Sequence, residues 1–141
     1  MNCKVCGETN PDGAKFCSRC GSSLDGNSQG FIVATMPTLP GYRVKKVIGI
    51  VSGITPRTRG LLGKFIAGFE SMIGGEVTAF SYEIEKARAE AIDRCRANAV
   101  SLGANAVLSV DIETSDIGSQ MGILVFSATG TAVVVEPETP S

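Results

Sequence analysis

The stretch YEIEKARAEAIDRCRANAVSLGANAVLSVDIET, residues 82–114, decides the fold of this 141-residue chain. It has no proline, and its first glycine is Gly103, so one long helix can run without interruption and end there. Its small and apolar residues recur with the helical period and predict one buried face made of Ile84, Ala87, Ala91, Cys95, Ala99 and Leu102. Apolar and polar residues then alternate, which predicts a half-buried strand whose apolar face holds Ala106, Leu108, Val110 and Ile112.

Further strands are predicted on both sides of this helix. Residues 31–34 and 42–54 are rich in β-branched residues, and Gly49 and Gly53 in the second run allow a bulge or a close backbone approach. We expect Val44, Lys46, Ile48 and Ile50 to share one face of that strand. A last strand, 121–135, is apolar on both faces, which predicts cover by the helix on one side and by a partner subunit on the other.

A second helical pattern precedes the long helix. Its apolar positions are Leu62, Phe65, Ile66, Phe69 and Ile73. It could be a membrane-surface helix, or an anion site where Arg57 and Arg59 join the helix start. Burial against the sheet or another subunit is favoured, because the segment has little polar face, and Gly74-Gly75 should end it.

Four cysteines near the N-terminus form a metal-binding pattern. Cys3 and Cys6 make one Cys-x-x-Cys-Gly knuckle, and Cys17 and Cys20 make the second, ten residues later. Four thiolates are the soft ligands that tetrahedral Zn²⁺ prefers, and they leave no open position for catalysis. We therefore predict a structural zinc site; iron in the same cage, a redox Cys-x-x-Cys and a disulfide pair are the alternatives.

The module around these cysteines is too small to fold on apolar packing. Only Val5, Phe16 and Leu24 could contribute to a core, whereas structural zinc can contribute roughly 10–16 kcal/mol. Residues 10–13 (Asn-Pro-Asp-Gly) predict a turn between two short strand-like pieces. The basic residues placed to offset the charge of a zinc tetrathiolate are Lys4, Lys15 and Arg19. The pattern resembles the short zinc ribbons that serve many prokaryotic proteins as structural or interaction modules.

The chain therefore divides into a zinc ribbon (1–24), a flexible polar linker (25–30), an α+β domain (31–135) and a tail (136–141). The net charge is −1, yet the segment between Asp25 and Glu70 contains only basic charges, and acids outnumber bases after it. We interpret this division as complementary charge between neighbouring elements or subunits; binding to nucleic acid or an acidic lipid surface is the alternative.

Several functions are disfavoured by composition. The chain has no histidine, which removes Ser-His and Cys-His catalysis, and no phosphate-binding loop is present. We predict no catalytic residue and no organic cofactor site. No signal peptide or membrane-spanning run is evident, and five cysteines without a signal indicate a reducing, cytoplasmic setting.

Motifs in the second domain resemble the YbjQ (UPF0145) family, whose members are described as heavy-metal-binding. The matching segments are residues 38–42 (TLPGY), 49–53 (GIVSG), 74–75 (GG), 87–91, 102–107 (LGANAV), 110–112 and 130–133. The resemblance implies an α+β subunit with a βαββ-type antiparallel sheet and one long helix, assembled as a ring-like, dodecin-like pentamer. The zinc ribbon is an addition to that core.

Three functions follow as hypotheses. The favoured one is a non-enzymatic, ring-forming scaffold or binding protein that contacts a protein partner through its ribbon. The second is a metal-handling protein that binds a soft ion through Cys95 or through carboxylates such as Asp111 and Glu113. The third is a nucleic-acid-associated ribbon protein, for which Phe31, Tyr42 and Phe65 are the aromatic candidates, although the chain is not basic overall.

Overall fold

A four-stranded sheet and one long helix form the domain that follows the cysteine-rich segment. The computed structural model describes residues 1–26, 30–58, 75–117 and 123–138. The elements, in chain order, are β1 (Ile32–Val33), β2 (Tyr42–Thr58), α1 (Gly75–Ser101), β3 (Ala106–Ile117) and β4 (Ile123–Pro137). The predicted α+β class is confirmed.

The strands are arranged in the order β1-β3-β4-β2. β4 pairs antiparallel with both β2 and β3, and the short β1 adds one parallel pair with β3. The long strand β2 is therefore the outermost strand on one side of the described sheet, and β3 is covered by β1 only near its start.

The helix α1 lies against β2 and β4 on one face of the sheet. Its predicted buried face is confirmed at Ala87, Ala91, Cys95 and Ala99. Leu102, which we expected on the same face, is 54% exposed because the helix ends one residue earlier. The described helix includes Gly75, seven residues before the predicted start at Tyr82.

The end of α1 follows the expected glycine stop. Gly103 has a φ of 89°, and its N–H donates to the Val100 carbonyl over 3.0 Å. The Ala104 N–H donates to the Ala99 carbonyl over 3.1 Å. This pair of bonds is a Schellman motif, which satisfies carbonyls that the helix end would otherwise leave free.

Gly53 allows α1 to approach the sheet closely. A Cβ atom at this position would collide with the Ala91 carbonyl oxygen and the Cys95 amide nitrogen on the helix backbone. The small side chains that face the sheet from α1 have the same effect, because they keep the helix axis near the strands. The expected close approach at Gly53 is therefore confirmed.

β2 is longer and less regular than predicted. It continues through Pro56, which an outermost strand tolerates because a proline there need not donate a ladder hydrogen bond. Register shifts at Val44/Lys46 and Val47/Gly49 break the expected alternation of faces. Ile48 consequently packs against the core beside α1, whereas Ile50, predicted on the same face, is 82% exposed.

β3 carries a similar irregularity. Its register with β4 shifts between Leu108 and Asp111, around Ser109, which has a φ of 54°. Ala106 and Leu108 therefore lie in a different hydrophobic cluster from Val110, although the sequence predicted one shared face. A bulge of this kind is invisible in the alternation of apolar residues, because it changes the face without changing the residue types.

Residues pack against both faces of β4, but on one face the packing residues are not those predicted. Phe126, Ala128 and Ala132 pack in the cluster beside α1. Val133 and Val135 lie in the second cluster, where Ile32, Ala34, Leu39 and Tyr42 of the same chain pack against it. The cover expected from a partner subunit is thus supplied, at this end of the strand, by the segment 32–42.

Some predictions concern residues outside the described ranges. These are the second helical pattern at 61–73, the turn residues 118–120 and parts of the linker and tail. Among the described residues, no helix is both long and apolar enough to cross a membrane.

Candidate metal centre

Two short hairpin-like knuckles bring the four predicted cysteines together. Isolated bridges join Asn2 to Thr9 and Phe16 to Ser23, and each bridge closes one knuckle. Gly7 donates its N–H to the Cys3 carbonyl, and Gly21 donates to the Cys17 carbonyl, both over 2.9 Å. Gly7 and Gly21 have φ values of 79° and 75°, which explains why glycine follows each second cysteine.

The arrangement of the sulfur atoms fits a tetrahedral metal site. All four Sγ atoms lie within 4.8 Å of one another. The separations are 3.6 Å between Cys3 and Cys20 and 3.5 Å between Cys6 and Cys17. Four thiolates held about 2.3 Å from one ion lie roughly 3.8 Å apart, so a tetrahedral divalent ion can occupy the centre of this cluster with small adjustments.

Polar groups around the sulfurs were not predicted from the sequence. The Ser22 hydroxyl lies 3.0 Å from the sulfurs of both Cys3 and Cys20. The side-chain amide of Asn10, a buried residue, donates from Nδ2 to the Cys17 sulfur over 3.5 Å, and its Oδ1 accepts the Ser18 N–H over 2.8 Å. Both residues act on the ligands from outside the ligand set, and no sequence pattern marked them for that role.

The two cysteines of the first knuckle, Cys3 and Cys6, differ in pKa. The Ser22 hydroxyl, with N–H donors of the first knuckle, lowers the pKa of Cys3 to about 6. The Glu8 N–H lowers the pKa of Cys6, but burial and the neighbouring thiols outweigh it and raise that pKa to about 12. Four thiolates so close together therefore need a cation among them to be ionised at once.

The basic residues near the cluster are arranged differently from the prediction. Lys4 and Lys15 are exposed, and the Arg19 guanidinium lies 3.6 Å from the Glu8 carboxylate. A further cation comes from α1: Arg96 donates from Nη1 to the Arg19 carbonyl over 2.6 Å. This contact joins residues far apart in the sequence, so no local pattern could have revealed it.

The ribbon is packed against the α+β domain. Phe16 meets Phe31 edge to face, with ring centres 5.6 Å apart and planes at 81°. The Phe31 N–H donates to the Gly21 carbonyl over 2.7 Å. Of the three residues considered for a ribbon core, Phe16 thus packs on the larger domain and Val5 is 75% exposed.

Comparison with known proteins agrees with both parts of the chain. Residues 31–136 match a family model, YbjQ, whose description is "Putative heavy-metal-binding". The chain belongs to the YbjQ family. Residues 2–24 match a zinc-ribbon domain, so this YbjQ protein carries a metal-binding ribbon before the family core.

Relatives of the YbjQ core occur in archaea and bacteria. A UPF0145 protein of Methanoregula boonei is 41% identical over 112 residues, which cover 79% of this chain and 92% of the relative. A UPF0145 protein of Bradyrhizobium sp. is 41% identical over 106 residues, covering 75% and 94%. A crystal structure of a DUF74-family protein of unknown function from Pediococcus pentosaceus shares the fold, with a TM-score of 0.51, 15% identity, and coverage of 77% and 100%.

Within the YbjQ core, the other metal-ligand candidates are separated. Cys95 is 1% exposed, burial raises the pKa of its thiol, and its sulfur points to the Val51 carbonyl at 3.8 Å. Asp111 and Glu113 are exposed on β3. Across residues 1–26, 30–58, 75–117 and 123–138, the four ribbon cysteines are the group placed to hold an ion.

Proposed function

We propose that this YbjQ protein is a non-enzymatic scaffold or binding protein that assembles from identical chains into a closed ring and carries a Zn²⁺ ribbon on each subunit. The observation that supports this proposal best is the pair of unlike open edges on the described sheet. One edge is the whole of β2, and the other is β3 beyond its short pairing with β1.

The two edges are complementary in charge. Lys45 and Lys46 are exposed on β2, and Asp111 and Glu113 are exposed on β3. Two other basic residues of the segment are paired within the chain: Arg43 pairs with Glu136, and Arg57 pairs with Glu90. Joining β2 of one subunit to β3 of the next makes a head-to-tail contact, which closes into a ring when the rotation fits.

Exposed apolar residues on β2 support the same contact. Val44, Val47, Ile50 and Ile54 all present much of their side chains to solvent. A long, apolar outer strand is the kind of edge that pairs with another chain. The pentamer that the family resemblance implies is the ring size we propose.

The test is native mass spectrometry of untagged protein purified without added metal. We expect a pentamer that carries five zinc ions. The paired substitution Lys45→Glu and Lys46→Glu should give mainly monomers, and adding Asp111→Lys and Glu113→Lys should restore the ring. As a matched control, Lys86→Glu with Arg88→Glu, on exposed positions of α1, should leave the ring intact. A wild-type monomer at micromolar concentration would contradict the proposal.

The first knuckle of the ribbon is the surface we propose for a protein partner. Val5 and Met1 are exposed there, on a module whose other end is packed against the α+β domain. Substitution Val5→Ser should leave zinc content and assembly unchanged but weaken capture of that partner, because an exposed apolar side chain contributes to binding without supporting the fold.

Metal handling is a second candidate, because the family model is described as heavy-metal-binding. In that case the core would bind a soft ion through Cys95 in addition to the ribbon ion. Metal analysis of wild type and Cys95→Ala, each loaded with excess Cd²⁺ and dialysed, separates the two cases. A second ion per chain that disappears in Cys95→Ala would favour metal handling, and one ion per chain in both proteins would argue against it.

A further inference from the structure

Arg96 occupies the junction between the ribbon and the helix α1. Its side chain is 14% exposed, and its Nη1 atom donates both to the Arg19 carbonyl, over 2.6 Å, and to the Asp93 carboxylate, over 2.9 Å. Arg19 lies directly before Cys20 in the second knuckle. A side chain of helix α1, in the YbjQ core, therefore donates a hydrogen bond to the backbone of the metal-binding loop.

Gly21, the residue directly after Cys20, also lies against the Arg96 side chain. A Cβ atom on Gly21 would lie 3.0 Å from Arg96 Nε, so the absence of a side chain makes room for the guanidinium. Arg96 Nε is buried and has no hydrogen-bond partner among the described residues. The Arg96 guanidinium thus lies against the knuckle, paired with Asp93, and its Nε–H has no hydrogen-bond partner there.

The charge of a metal-loaded site would also act on Arg96. Four thiolates around one divalent ion would leave a net charge near −2, which would attract the Arg96 guanidinium held against the backbone beside Cys20. The second knuckle also holds the Arg19 and Gly21 carbonyls toward α1 and Phe31, and an ion bound by Cys17 and Cys20 would fix that loop conformation. Metal binding and docking therefore require the same shape of residues 17–21.

We propose that Arg96 is a positioning residue for the ribbon metal site, and that it couples metal binding to docking of the ribbon on α1. By thermodynamic linkage, docking raises the metal affinity by the same factor by which the metal favours docking. The coupling acts within one chain, so it does not depend on the proposed ring.

The first measurement is zinc affinity of the full chain, by competition with a chromophoric chelator. Groups that orient metal ligands from outside the ligand set commonly change affinity 10–100-fold. We expect Arg96→Met to weaken zinc binding about tenfold, and Arg96→Lys to recover part of the loss. Arg88→Met, an exposed position on the same helix, is the matched control and should bind like wild type. Affinities of Arg96→Met within twofold of the control would overturn the proposal.

The second measurement is hydrogen exchange, which separates undocking from unfolding. The Phe31 amide donates to the Gly21 carbonyl across the junction, whereas the Ala34 amide donates to the Val107 carbonyl inside the sheet, over 2.9 Å. Removing zinc with a chelator should speed exchange at Phe31 at least tenfold while Ala34 stays protected. Unchanged protection at Phe31, or equal loss at both amides, would show that the metal does not control docking.

Discussion

The Ser22 hydroxyl lies 3.0 Å from the sulfurs of both Cys3 and Cys20, one from each knuckle. It therefore lowers the pKa of Cys3 and contacts one ligand of each knuckle. Cysteine spacing identified the four ligands, because two Cys-x-x-Cys-Gly units are a local pattern. The groups that tune them, Ser22 and Asn10, follow no fixed spacing and required the folded loops to be recognised.

At this scale we predict how zinc binding depends on pH. In the metal-free ribbon at pH 7, Cys3 is largely a thiolate because its pKa is about 6, whereas Cys6 is protonated because its pKa is about 12. Zinc must displace the Cys6 proton, so affinity should rise with pH by about tenfold per unit for each proton released. Below pH 6, Cys3 also protonates and the affinity should fall more steeply.

Ser22→Ala tests the origin of that profile. Without the hydroxyl, the pKa of Cys3 should move back toward the usual thiol value, and zinc should bind about tenfold more weakly at pH 7. Ser23→Ala is the control, since the Ser23 hydroxyl donates to Asp25 and not to a sulfur. Competition titrations at pH 6, 7 and 8 give the comparison, and identical profiles for both variants would contradict this role of Ser22.

At the scale of elements, the contact between α1 and β2 leaves no room for a side chain at Gly53. The helix face and its end at Gly103 were predictable, because helical periodicity and the glycine stop are both local signals. The bulges near Gly49 and Ser109 were not, since they shift which face each residue occupies. The faces of Ile50 and Leu108 were assigned wrongly for that reason.

Gly53→Ala measures this packing. The added Cβ would meet helix backbone atoms that cannot rotate away, so the free energy of unfolding should fall by about 3 kcal/mol. Gly49→Ala on the same strand meets no neighbouring atom, but its φ of 148° makes an L side chain strained, and we expect a loss of about 1 kcal/mol. Urea unfolding of both variants at equal protein concentration would show the difference, and equal losses would count against the close contact.

At the scale of the whole molecule, the charge division seen in the sequence falls into two described parts. Part of it is internal, because Arg43 and Arg57 pair with acids on β4 and α1. Lys45 and Lys46 on β2, and Asp111 and Glu113 on β3, lie on open edges of the described sheet. The sequence alone could not place them there, since edge positions depend on strand order. The docking of the ribbon could not be predicted from the sequence either, because its contacts join residues that are distant along the chain. Phe16 and Gly21 contact Phe31, and Arg19 contacts Arg96.

Salt should therefore weaken the proposed assembly. Screening shortens the range of charge interactions from about 10 Å at 0.1 M salt to about 3 Å at 1 M. We expect the apparent dissociation constant of the ring, measured by analytical ultracentrifugation, to rise about tenfold over that range. The variant Lys45→Gln with Lys46→Gln should have a higher dissociation constant at 0.1 M salt, and that constant should change little as salt is added. Equal salt responses in the two proteins would rule out the complementary edges as the contact.

The junction between Phe16 and Phe31 also bears on avidity. A ribbon held on α1 has a fixed direction, so a ring of these chains would display its first knuckles at a constant spacing and on equivalent sites. A partner with several matching sites could then bind several ribbons at once, without the entropy cost of ordering a flexible tether at each one. Weak binding to one ribbon would become strong binding to the array, and a partner with a single site would gain nothing from it.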